Sequence, residues 1–243
     1  MTAALTVEDV TVRFGGNVAL SRVSLRADAG VVTGLIGPNG AGKTTLFNVV
    51  TGLQNPTTGS VHLGDRDVTR VAPHKRARAG LSRTFQRLEL FSLLSVRSNV
   101  RVAADLHRSY TRDRSIDPDA VAEEVLERLG IGALAESRVD RLPTGLARLV
   151  EVGRALATRP RVLLLDEPAS GQDESETAAL ARLLRDLASD GMAIVLVEHD
   201  VDLVMETCER IHVLDFGEML AVGTASEIQS NPAVLAAYLG VDK

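Results

Sequence analysis

Nine residues constrain this chain more than any others. Gly37 to Thr45 read GPNGAGKTT, set between a buried-strand pattern, GVVTGLIG, and a helical one, KTTLFNVVTGL. The spacing G-x-x-x-x-G-K-[ST] asks for a strand, a tight turn and a helix in that order. Gly37, Gly40 and Gly42 lack the Cβ that would keep backbone N–H groups from turning inward together. Pro38, Asn39 and Ala41 complete the loop, and Thr45 follows it into the helix. A cradle of N–H groups at the positive end of a helix suits phosphate oxygens. Lys43 adds a full positive charge for the outer phosphates, and Thr44 offers a hydroxyl to Mg²⁺. Lysine is otherwise scarce, with only Lys75 and Lys243 besides.

The remaining composition narrows the class. A length of 243 residues suits one large α/β domain, with room for an inserted subdomain. Apolar residues make up 45% and charged residues 24%, the balance of a soluble globular fold. The net charge of −5 supplies no field for wrapping nucleic acid, so none is expected as a partner. A single cysteine, Cys208, excludes an intrachain disulfide and fits a reducing compartment. The start, MTAALTVEDVTVRF, lacks a basic n-region, and no apolar run approaches the roughly 20 residues that span a bilayer. Action at a membrane would therefore run through partners.

Leu5 to Phe14 alternate apolar and polar residues, as a half-buried strand does. VALSRVSLRA repeats the pattern and GSVHLGDRDV reads as a hairpin, so an antiparallel sheet is expected near the start. From about residue 88 to residue 157 the pattern turns helical. Within it, DPDAVAEEVLERLGIG has Asp117 or Asp119 as its cap and Gly130 as its end. RVLLLDEP and MAIVLVEHD then read as buried parallel strands, separated and followed by helical stretches.

Two of these strands end in chemistry. Val162 to Pro168, VLLLDEP, deliver Asp166 and Glu167 side by side. Asp166 suits orientation of Mg²⁺, and Glu167 suits polarisation of an attacking water. VLVEHD ends the other strand at His199, where a donor could sense a γ-phosphate. Gln86, in SRTFQRLELF, borders the helical block; its amide oxygen could reach Mg²⁺ or the attacking water. Phe14 closes the first strand, where an aromatic ring could stack on adenine.

The ordered set Phe14, GPNGAGKTT, Gln86, LPTGL, VLLLDEP, Asp173 and His199 resembles the ATP-binding subunit of an ABC transporter over nearly the whole chain. The resemblance implies a P-loop NTPase core of α/β class, with an N-terminal antiparallel β subdomain and an inserted α-helical subdomain. It also implies a dimer that sandwiches two ATP molecules. Each sandwich uses the Walker motifs of one subunit and the signature of the other, so Thr144 and Gly145 serve the partner's nucleotide and Asp173 lies in the linking D-loop. GLIGPNGAGKTTLFNVVTGL, SRTFQRLELF, LVEHDVDLVM and the tail NPAVLAAYLG are similar to subunits of branched-chain amino acid importers. Urea and lipopolysaccharide transport ATPases are similar too. The implied partners are transmembrane permease subunits, a second ATP-binding subunit in a homodimer or heterodimer, and a solute-binding protein. The implied place is the cytoplasmic face of the cell membrane. Leu88, Leu90, Phe91 and Leu93 are candidates for the groove that docks a permease helix.

The chain departs from the family pattern at LPTGL, where L-S-G-G-Q is usual, and at ASGQD, where S-A-L-D is usual. Leu146 puts an aliphatic group where a polar one is expected near the partner's ATP. A weakly hydrolysing, regulatory subunit of a heterodimer is the reading this suggests.

Overall fold

The computed structural model of the chain describes residues 3–239. Gly240, which ends the tail motif, lies outside them. Strands β1 (Ala3–Phe14) and β2 (Asn17–Asp28) pair antiparallel, and β4 (Thr58–Leu63) and β5 (Arg66–Asp67) extend the sheet in the order β2-β1-β4-β5. Leu5, Val7, Val10 and Val12 are buried. A register shift between Val7 and Val10 breaks strict alternation there and leaves Glu8 and Asp9 in solvent.

The second sheet holds β3 (Val32–Ile36), β6 (Leu81–Arg83), β7 (Val162–Asp166), β8 (Ala193–Val197), β9 (Arg210–Asp215) and β10 (Glu218–Gly223). Its order is β10-β9-β3-β8-β7-β6, with only β10 antiparallel to its neighbour. Strands β7 and β8 are buried on both faces, and alternate residues feed two cores. Leu163, Leu165, Ile194 and Leu196 belong to one core; Val162, Leu164, Val195 and Val197 belong to the other. The second core also holds Leu46, Phe47 and Val50 of α1 (Lys43–Thr51) and the inner face of the antiparallel sheet. The first holds α3 (Val96–Thr111), α4 (Pro118–Arg128), α5 (Thr144–Leu156) and α6 (Glu174–Ser189). Short helices α2 (Pro73–Arg78), α7 (Val201–Thr207), α8 (Ala225–Gln229) and α9 (Pro232–Leu239) complete the chain.

Three features depart from the sequence expectations. β6 interrupts the approach to the helical block; three residues are too few to show a period. Helices α7, α8 and α9 follow β8 as expected, but β9 and β10 stand between α7 and α8. His212 breaks the apolar run of β9 in the sequence, yet it is buried, and burial pulls its pKa down to about 4, so it packs as a neutral ring. Leu146 is the third. It packs against the core shared by α4, α5 and α6 and lines a groove with Leu149, Leu180 and Leu183. Within its own subunit it is a partly buried packing residue, a role that the family pattern does not announce.

The helix that follows the glycine loop is held at its far end by a buried arginine. Arg76 is 1% exposed, and its guanidinium donates to the carbonyls of Val49, Val50, Thr69 and Val71 at 2.7 to 2.9 Å. Val49 and Val50 belong to the last turn of α1, where the regular helical bonding runs out and the Val49 carbonyl otherwise accepts only from the Gly52 N–H at 3.1 Å. Replacing Arg76 by Met removes four donations to backbone carbonyls at once. Urea denaturation is expected to show a loss of about 3 kcal/mol. Leu146→Gln replaces a partly buried aliphatic contact by an amide, and the same measurement is expected to show a loss of about 1 kcal/mol.

Candidate active site

The glycine loop adopts its shape because its glycines occupy backbone conformations closed to other residues. Gly37 has φ 151°, and a Cβ there would run into the Leu214 carbonyl oxygen. Gly42 has φ 108° and forms the N-cap of α1, with no side chain accepting from the helix N–H groups. Those N–H groups are left for a ligand. Lys43 lies within the loop, donating to the carbonyls of Gly37 and Pro38 at 2.5 and 3.1 Å. Burial lowers its pKa, while the charges of Glu167 and Asp166 work in the opposite direction.

A cavity of 290 Å³ opens over this loop. It is lined by Asn39 to Thr45 together with Gln86, Asp166, Glu167, Val197 and His199. Residues from four distant stretches of chain thus meet at the carboxyl ends of β3, β7 and β8. Glu167 is central among them. Its Oε1 accepts from Gln86 Nε2 at 3.0 Å and lies 3.0 Å from His199 Nε2. Its backbone has φ 52°, a left-handed conformation that a side chain disfavours and that recurs at functional turns. Asp166, buried beside it, pairs with Arg83 at 2.9 Å. Arg83 also donates to Asn48 at 2.7 Å, and its guanidinium lies 5.2 Å from the Phe47 ring centre and 4.8 Å from that of Phe85.

Other predicted residues lie apart from this cavity. Phe14 is 52% exposed at the end of β1 and does not line it. Thr144 and Gly145 open α5 and pack against the segment after β7. A Cβ on Gly145 would lie 3.0 Å from Gln172 Cγ and 3.1 Å from the Gly171 carbonyl oxygen. Asp173 caps α6, accepting from the Glu176 N–H at 2.9 Å and the Ser175 hydroxyl at 2.8 Å, and these bonds lower its pKa. Of the docking candidates, Leu90 packs on the core, whereas Phe91 and Leu93 are exposed. An open apolar groove does exist nearby, but Leu53, Ala77, Phe85, Ala103 and Leu106 line it instead.

Sequence reasoning missed Arg83 and Glu198. Glu198 is buried, accepts from the Ala169 N–H at 2.7 Å and the His199 N–H at 3.1 Å, and so ties the ends of β7 and β8 together. Burial raises its pKa. A carboxylate directly at the end of an apolar run, as Glu198 is, was the one signal available.

The family model described as ABC transporter matches residues 20–170, and that described as Branched-chain amino acid ATP-binding cassette transporter matches residues 218–243. The chain is 38% identical to the high-affinity branched-chain amino acid transport ATP-binding protein BraF of Pseudomonas aeruginosa, over 97% of each chain. It is 39% identical to the protein LivG of Salmonella typhimurium, again over 97% of each. Among solved structures it matches the ADP conformation of an ATP-binding cassette of an ABC transporter, with TM-score 0.87 and 29% identity, over 99% of this chain and 100% of that one. The chain belongs to the ATP-binding subunits of ABC transporters, ATPases that dimerise and work with transmembrane permease subunits.

Proposed function

We propose that this chain hydrolyses Mg²⁺-ATP to drive import of branched-chain or related amino acids, with Glu167 as the group that polarises the attacking water. The observation that carries the reading is the Glu167 carboxylate held between Gln86 and His199 at the edge of the glycine-loop cavity. A carboxylate fixed by two donors is oriented before a water arrives, which is what positioning of a nucleophile requires. His199 is the donor that would contact a γ-phosphate, and Lys43 with the N–H groups at the start of α1 would hold the phosphate chain.

Thr44, Gln86 and Asp166 offer hard oxygen donors around one cavity, a set that fits Mg²⁺. The ion, when bound, neutralises charge on the phosphate oxygens. Phe14 would stack on adenine from the open side. Thr144, Gly145 and Asp173 would act across the dimer interface, on the partner's nucleotide. The apolar groove beside Phe85 is the surface best suited to a permease helix, which would seat the chain on the cytoplasmic face of the membrane. No helix among the described residues is long and apolar enough to cross one. The amino acid assignment draws on the relatives' identity and on the match over residues 218–243. It implies a solute-binding protein in the same system.

Glu167→Gln is expected to lower turnover about a hundredfold or more while ATP stays bound. Size-exclusion chromatography with ATP should then retain a dimer, and normal turnover would overturn the Glu167 assignment. Uptake of labelled leucine by cells carrying Lys43→Ala in this chain tests the transport reading. Undiminished uptake would remove amino acid import.

A further inference from the structure

Residues 84–91 carry Gln86 yet form neither helix nor strand. Their backbone polar groups must find partners elsewhere, and several find them on one face of α5. Arg148 donates to the Gln86 carbonyl at 2.9 Å. Glu151 Oε1 accepts from the N–H groups of Phe85 and Glu89, both at 3.4 Å. Arg154 donates to the Glu89 carbonyl, and its guanidinium lies 4.8 Å from the Phe91 ring centre. Spacing by three residues sets these side chains along one side of the helix. Arg148 is 8% exposed and Glu151 is 6% exposed. Burying two opposite charges is costly unless each is well partnered, so their bonds to the 84–91 segment are more than surface contacts.

The two ends of this arrangement matter. Gln86 is held by its carbonyl at Arg148 and donates through its amide to Glu167 at 3.0 Å. Thr144 and Gly145, at the start of α5, lie about one turn before Arg148, or roughly 6 Å along the axis. One turn of helix is stiff, so a shift at the start of α5 carries Arg148 with it.

We propose that Arg148 and Glu151 are positioning residues that couple the signature end of α5 to the hold of Gln86 on Glu167 within the same subunit. The proposal rests on the roles assigned above to Gln86 and Glu167. Through it, the surface that meets one nucleotide tunes the water geometry at the other. A residue that only packed would lower stability in any background, whereas a residue acting through Gln86 has no further effect once that amide is gone.

Two measurements on the full chain separate these cases. The first is hydrogen exchange of the nucleotide-free protein, read by mass spectrometry. Glu151→Gln and Arg148→Leu are expected to speed exchange of amides 85–89 about tenfold, with β7 and α6 unchanged. The second is steady-state turnover. Both variants are expected to lower kcat about five- to tenfold with the ATP KM within about twofold, and to lower it no further in a Gln86→Ala background. Arg148→Lys, which keeps one charged donor, should recover part of the loss. Unchanged exchange at 85–89, or an equal fold-loss with and without Gln86, overturns the proposal. If Gln86→Ala alone leaves turnover intact, the assigned role of Gln86 falls, and the exchange result still decides whether α5 holds the segment. Should Arg148→Leu not fold, Glu151→Gln keeps the shape and one acceptor oxygen and serves both measurements.

Discussion

Strands β3, β8 and β7 run parallel and in step, with Gly34 beside Leu196 and Asp166 beside Val197. Each strand therefore ends at the same level, and each releases its functional residues there. β3 leads into Gly37, β8 into Glu198 and His199, and β7 into Glu167. The Glu167 N–H donates to the Val197 carbonyl at 2.9 Å, one bond past the strand proper. Glu198 adds a second tie through the Ala169 N–H. A slip of one residue between β7 and β8 would send Asp166 to the opposite face of the sheet. The apolar residues feeding two separate cores prevent that slip, because a slip would also exchange the two sets of leucines and valines.

Charge completes what the register begins. Asp166, Glu167 and Glu198 lie close together at the strand ends, and carboxylates so placed repel one another. Arg83 answers Asp166 with a buried ion pair, 5% and 4% exposed at the two side chains. Two aromatic rings flank its guanidinium, so the cation has little freedom to move away. Arg83 ends β6, next to β7 in the sheet. The short strand thereby has a purpose beyond one more row of backbone bonds. It carries the counter-charge for Asp166 and begins the segment that presents Gln86.

What could be read from the sequence follows from how local each signal is. The glycine loop, the strand before it and the helix after it form one contiguous pattern, so spacing alone revealed them. Asp166 and Glu167 were legible because they end an apolar run of strand length. Glu151 was not, since a glutamate in a helix ordinarily faces water, and nothing nearby in the chain announces that residues 85 to 89 will cover it. The packing of Leu146 was hidden for the opposite reason. The family pattern directed attention to the residue missing there, while the helical period of α5 sets it with Leu149 at the partly buried edge of the core. His212 hid β9 because a histidine reads as polar until its burial is known.

Helix capping gives the two uncapped helices a shared character. Among the helices of nine or more residues, α3, α4 and α6 have their first N–H groups met by Ser95, Asp117 and Asp173. α1 and α5 have Gly42 and Pro143 at that position, and no side chain accepts from their N–H groups. An uncapped N-terminus forgoes about 1 kcal/mol of stability that a serine or aspartate would supply. It also keeps several donors and the positive end of the helix dipole available to an anion. Both helices are instead secured elsewhere. Arg76 holds the far end of α1, and the buried face of α5 holds the segment around Gln86. Securing each helix away from its open end leaves the two N-termini free without loosening the helices that carry them.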